Sequence, residues 1–452
     1  MNFFQKTFES FKRLDHRLFW SLFVMGICPS IYTTVRIFFL GGMPDPSVFS
    51  ISAQLEWVNL LFEIINEGII LPLFFIMGAV VKSKEDATNK AKTGLLLTSC
   101  IYIVFSSIII GCVRPMLQAM HADPTTLNQA VDYIRIEATG NIPEVLYQFA
   151  LVILVAIGKD IYVYIITGAK LVFSVIFDTF ITSTLPCSAN LGINGVGLNN
   201  VIVNTLLFAT VLILLVKEGI NIFNKKKMEF GYLKTCWKQC LFSFLESFVR
   251  NAAFILMVAR MLNVVEEAGT YWVADSFIWA WLIMPINMLA ELIKQNIGKD
   301  KNAVRQNTLG YLFVTLIIVC IWLVTIPAWK PFIQYGLQQQ EPDKIFQICL
   351  TLVGFYILFA FGNVFDMIFY GFGKIEYELI ETTITNVVYY GLMFILYKTG
   401  VWQPTLMGIT LMFGIGCGFD ALVTIGAYIV LAKKYHLNIL DIDCKLKNYN
   451  TK

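Results

Sequence analysis

Within the apolar runs of this 452-residue chain, carboxylates recur at helical spacing. Glu56, Glu63 and Glu67 lie 7 and 4 residues apart, so at about 100° per residue they share one helix face with Asn59. Asn141, Glu144 and Gln148 make a second polar stripe, and Asp178, Asn199, Asn200 and Asn204 follow in later runs. The second half adds Glu246, Arg250, Asp275, Asn287, Glu291, Asn363, Asp366, Glu381, Asn386 and Asp420. The basic side chains in the same runs are Arg36, Lys170, Arg250 and Arg260. Carboxylates held in an apolar medium mark ion paths and proton relays, and low-dielectric walls focus their field, so such an interior favours cations. Trp272, Trp279 and Trp281, with Tyr147 and Tyr370, either line a binding cleft or belt a membrane interface. Glu56 and Glu291 fall near run ends, where they reach water or headgroups, and Glu246 and Arg250 also fit a structural i,i+4 pair.

Other chemistries lack their residues. The three histidines, His16, His121 and His436, lie outside the apolar runs, with neither metal spacing nor a Ser/His/Asp set, so the chain reads as no enzyme. There is no P-loop. The ten cysteines form no C-x-x-C pair, and Cys236 and Cys240, four apart, read as packing. No metal, cofactor or nucleic-acid partner is expected. The basic run Lys225–Lys227 is explained better by topology.

The elements that must position these groups are membrane spans. The chain is 57% hydrophobic and 14% charged, with mean hydropathy +0.68. Its apolar runs match the roughly 20 residues that cross a bilayer as a helix. Twelve spans are expected near 18–41, 51–81, 93–113, 128–157, 161–184, 195–219, 235–262, 270–298, 306–330, 345–372, 376–398 and 404–432. The polar, basic start Met1–Arg17 shows no cleavable signal, so the first span stays as an anchor. Lys and Arg concentrate before span 1, after span 12, and between spans 2 and 3, 6 and 7, and 8 and 9. The opposite loops carry only Arg114, Arg135, Lys330, Lys344 and Lys398. The positive-inside rule then puts both termini in the cytoplasm, as expected for a protein of the plasma (inner) membrane. Pro72, Pro143, Pro285 and Pro327 should kink their helices.

The chain also repeats itself. Arg114-Pro115-Met116-Leu117-Gln118 returns as Lys330-Pro331-Phe332-Ile333-Gln334, a shift of 330 − 114 = 216. Gly158-Lys159 returns as Gly373-Lys374, a shift of 215. The expected architecture is all-α: two six-helix bundles related by a pseudo-twofold axis along the membrane normal. The N-lobe would be 1–217, a cytoplasmic linker 218–234 and the C-lobe 235–452.

Four stretches, in the right order, resemble the multidrug and toxic compound extrusion (MATE) family. They are Gly192-Ile193-Asn194-Gly195-Val196-Gly197-Leu198-Asn199-Asn200, Gln295-Asn296-Ile297-Gly298-Lys299-Asp300, Ala122-Asp123-Pro124 with Tyr133, and Val35 to Gly41. The resemblance covers nearly the whole chain. It implies two bundles flanking a substrate cleft, and proton- or sodium-coupled antiport of an organic cation by alternating access, as a monomer in the lipid bilayer. The wider superfamily includes flippases of lipid-linked oligosaccharides, so an anionic or lipid-linked substrate is the alternative. Departures from the family pattern include Arg36 at the span-one aspartate, Ser174 and Asp178 at the span-five asparagine and aspartate, and Asn200 at the span-six threonine. The resemblance implies coupling-ion or proton sites at Asp366, with Glu246 nearby, and at Asp178. An N-lobe charge cluster of Arg36, Asp178, Glu63, Glu67 and Asn200 is expected, with cleft residues Glu144, Tyr147, Asp275, Trp279, Asn287, Asn363 and Tyr370. Arg36 has three readings: it pairs with a carboxylate, Asp178 first; it binds an anionic substrate group; or it snorkels outward.

Overall fold

In the computed structural model, residues 3–70, 83–223, 227–231, 233–435 and 437 are described. Pro72, Lys225, Lys226 and His436, singled out above, lie outside them. The described residues hold twelve helices long and apolar enough to cross a membrane. Spans 1 to 6 are His16–Gly41, Val48–Gly68, Lys84–Ala119, Leu127–Ala156, Ile161–Thr182 and Gly192–Lys217. Spans 7 to 12 are Cys240–Val264, Ala268–Lys299, Ala303–Gly336, Pro342–Phe372, Ile375–Lys398 and Leu406–Tyr435. The chain is an all-α integral membrane protein.

Backbone geometry recurs with the sequence shift. Gly158 and Gly373, 215 residues apart, have φ of 78° and 76°, the left-handed conformation that ends a helix at glycine. His121 and Gln338 take φ of 58° and 51° after spans 3 and 9. Wide π-helical turns interrupt spans 2 and 8 at Asn66–Ile70 and Ile278–Ile283, and spans 5 and 11 at Asp178–Thr182 and Thr385–Tyr390. Such turns are frequent at functional sites. Pro143 and Pro327 sit inside helices, whereas Pro285 starts the straight segment after a π turn, where its missing N–H is tolerated.

By packing, the chain divides into a unit of Ile31–Trp272 and a unit of Met1–Ser30 with Val273–Lys452. These units do not follow the sequence boundaries at 217 and 235. Span 7 packs with span 2, for local reasons. Gly68 lies so close to Phe244 that a Cβ there would sit 2.6 Å from the Phe244 Cα. Gln54 and Asn263 exchange amide hydrogen bonds of 2.7 and 3.1 Å. The buried core of the 31–272 unit accordingly runs from Ile51 and Val58 through Phe149 and Val211 to Ile255. The other unit has its own core around Leu292, Tyr311, Ile368, Phe369 and Leu431.

The N-terminal segment, expected only to be polar and basic, is a helix, Phe3–Lys12. It docks on span 9. The Ser10 hydroxyl donates to the Gln306 carbonyl at 2.6 Å and accepts from the Gly310 N–H at 2.8 Å. A Cβ at position 310 would lie 2.8 Å from the Ser10 carbonyl, so only glycine admits this contact. Gly310→Val should therefore release Phe3–Lys12, at about 1–3 kcal/mol of overpacking. Hydrogen exchange should show loss of protection at Phe3–Lys12 with the spans unchanged. Retained protection there would mean that Gly310 does not hold the docked helix.

Candidate functional site

Three charged assemblies occupy the 31–272 unit. The first surrounds Arg36 of span 1. Its Nη2 donates to the Asn200 side-chain oxygen at 2.7 Å, and the Tyr32 hydroxyl donates to the same oxygen at 3.1 Å. Its Nε stands 3.7 Å from Asp178 Oδ2, and its guanidinium carbon lies 4.4 Å from the Tyr32 ring centre. The Asn200 amide donates to both oxygens of Glu137, each at 2.8 Å. Because guanidinium only donates and ionised carboxylate only accepts, one orientation of the Asn200 amide satisfies both neighbours. Asp178 is 1% exposed and Glu137 4%, so these charges are matched inside the protein. Span 6 supplies its asparagines to this end: Asn199 donates to the Ser174 carbonyl at 2.9 Å, just before the π turn that Asp178 opens.

The second assembly pairs Glu144 with Lys170 at 2.6 Å. Lys170 also donates to the Tyr147 hydroxyl at 3.1 Å, and Asn204 donates to Glu144 at 3.1 Å and to the Gly140 carbonyl at 3.2 Å. Of the expected cleft residues, Glu144 and Tyr147 therefore belong to a lysine-centred cluster in this unit.

The third corrects one expected grouping. Glu63 and Glu67 do not join Arg36. Span 7 brings Arg250 to them, with Nη1 3.2 Å from Glu63 and Nη2 bonded to Glu67. Glu246 pairs with Arg250 Nε at 3.1 Å, one helical turn away. The physical reason is the arginine fork: five donors in one plane can satisfy three carboxylates at once. Ser247 completes the set by donating to Glu67 at 2.9 Å.

The Val273–Lys452 part of the other unit is organised differently. Asp366 of span 10 and Glu378 and Glu381 of span 11 each bring a carboxylate oxygen within 4.8 Å of the others. Asp420 of span 12 lies beside Glu381. Asp366 is 8% exposed and Glu381 2%. Oxygens ligating one hard cation at about 2.3–2.6 Å lie no more than about 5 Å apart, so this donor set fits a proton or a hard cation.

The remaining expected cleft residues are dispersed through that part of the chain. Asp275, Asn287 and Tyr370 are partly buried, Asn363 is buried, and Trp279 is 42% exposed. The Lys294 ammonium lies 5.7 Å from the Tyr370 ring centre. Sequence reading missed Glu137, Tyr32 and Glu378. Glu137 stands 7 residues before Glu144, Tyr32 4 before Arg36 and Glu378 3 before Glu381, so helical spacing alone would have flagged each.

A family model, MatE, matches residues 21–180. No curated protein matches the sequence. Among solved structures, an inward-facing multidrug resistance MATE family transporter of the MOP superfamily is 18% identical, with 95% of each chain covered and a TM-score of 0.64. A mutant of the Vibrio cholerae MATE transporter VcmN is 14% identical, with 96% of this chain and 99% of that chain covered and a TM-score of 0.67. A MOP superfamily transporter from Pyrococcus furiosus, described by the reverse polarity of its binding pocket, is 14% identical, with 97% and 98% covered and a TM-score of 0.70. At such identities the likeness establishes the fold. The MatE match covers residues 21–180, and the likeness in fold to these transporter structures runs along the whole chain.

Proposed function

We propose that the chain exports an organic, cationic and amphipathic solute by alternating access, in exchange for protons or sodium loaded at Asp366, Glu378, Glu381 and Asp420. The convergence of carboxylates from spans 10, 11 and 12 carries this reading. Two ionised carboxylates less than 5 Å apart repel by about 3 kcal/mol at an effective dielectric of about 20. Three cannot all stay charged in a membrane span. We read them as holding protons or a cation, and exchanging either is the chemistry a coupled exporter requires.

An anionic or lipid-linked substrate is the competing reading. The basic side chains of the 31–272 unit speak for it, and the Pyrococcus furiosus transporter is described by the reverse polarity of its own binding pocket. The charge count favours a cation. Arg36, Lys170 and Arg250 face Asp178, Glu137, Glu144, Glu63, Glu67 and Glu246, so carboxylates outnumber bases six to three around them. We read the protein as a monomer of the plasma (inner) membrane, and place both termini in the cytoplasm on the distribution of lysine and arginine among the loops.

Two experiments test this reading. In reconstituted vesicles, Asp366→Asn or Glu381→Gln should abolish gradient-driven flux of an organic cation while the protein remains folded. Wild-type flux indifferent to both pH and sodium gradients would refute coupled antiport. In a background free of native cysteines, labels at Lys227→Cys and Lys398→Cys should react from opposite sides of the membrane. Labelling from one side would overturn the topology.

A further inference from the structure

The arrangement around Arg36 is built like a cation site whose cation belongs to the chain. Asp178 Oδ2, the Asn200 side-chain oxygen and the Tyr32 hydroxyl come from three different helices and gather around one guanidinium. Glu137 adds a second buried carboxylate, tied to the same place through Asn200. Hard oxygens around a buried positive charge are what a small monovalent cation requires. The fit to guanidinium is incomplete. Arg36 Nε and Asp178 Oδ2 are both buried without a hydrogen-bond partner and stand 3.7 Å apart. Asp178 therefore meets the guanidinium as a charge and not as a hydrogen-bonded fork, which is how a carboxylate meets a bound ion.

We propose that Arg36 is a tethered substitute for a bound cation, so that the Asp178–Glu137–Asn200 cage takes up no coupling ion of its own. The inference relies on the reading above only for its consequence, that cation exchange falls to Asp366, Glu378, Glu381 and Asp420. An arginine stays charged at every accessible pH, so it holds this seat through the whole transport cycle. Snorkelling does not describe it, because its head is tied to Asn200 and faces Asp178 among buried groups.

The test is a thermal-unfolding series on the purified full chain, with sodium chloride replacing choline chloride at constant ionic strength. Wild type, Arg36→Lys, Arg36→Ala, Asp178→Asn and the Arg36→Ala/Asp178→Asn double variant are compared. Any sodium response of the Asp366 cluster is present in all five and cancels. Arg36→Ala should lower the melting midpoint by several degrees and gain a saturable stabilisation by sodium beyond that of wild type. Arg36→Lys should keep the wild-type response, which separates loss of charge from loss of shape. The double variant should recover much of the midpoint and return to the wild-type sodium response. If Arg36→Ala fails to fold, Arg36→Gln takes its place. A charge-removing variant with no sodium stabilisation beyond that of wild type, or a double variant as unstable as the two single losses added together, overturns the proposal. Failure of flux coupling in Asp366→Asn leaves this comparison unchanged, so the two readings fail separately.

Discussion

A charge inside a membrane-spanning helix must be matched by something, and that constraint organises this protein. A charged side chain at mid-membrane costs from about 3 kcal/mol upward, so unmatched charges are not retained in the spans. In the 31–272 unit the matching is done by bases of the chain itself. Arg36 faces Asp178, Lys170 holds Glu144, and Arg250 gathers Glu63, Glu67 and Glu246. In the Val273–Lys452 segment the carboxylates of spans 10, 11 and 12 lie close to one another, and in the proposed reading protons or a cation do the matching.

The helices are shaped around these contacts. Asn199, Asn200 and Asn204 of span 6 serve a backbone carbonyl, an arginine with a glutamate, and a second glutamate with a carbonyl, respectively. Each asparagine amide also locks its span to one or two others, the usual means of fixing helix positions in lipid. The π turn at Asp178–Thr182 re-aims Asp178 into the cage, and its counterpart at Thr385–Tyr390 lies one turn beyond Glu381. Packing at Gly68 then lets span 7 approach span 2 closely enough for Arg250 to reach Glu63 and Glu67.

The sequence made the fold legible because bilayer thickness converts directly into run length, and the repeat survived in turn residues such as Gly158 and Gly373. The Glu246–Arg250 pair was legible because its partners are one turn apart. The partnership of Arg250 with Glu63 and Glu67 was not, since it closes loops of 187 and 183 residues and depends on span 7 packing against span 2. Glu137 was overlooked for a related reason: it meets Arg36 only through Asn200. The segment of the Phe3–Lys12 helix was read only as a polar, basic start because its anchoring residue is a single serine, whose partner Gly310 is 300 residues away.

The central claim is that the carboxylates of spans 10 to 12 hold exchangeable protons or a cation while those of the 31–272 unit are held by bases. Infrared difference spectroscopy of the purified protein in sodium-free solution tests it most directly, because a protonated carboxyl in an apolar site has its own carbonyl stretch. The account predicts such a band in wild type, its loss in Glu381→Gln, its persistence in Glu63→Gln, and its decrease when sodium or an organic cation is added. A spectrum without that band, or a band that survives Glu381→Gln unchanged, would contradict it.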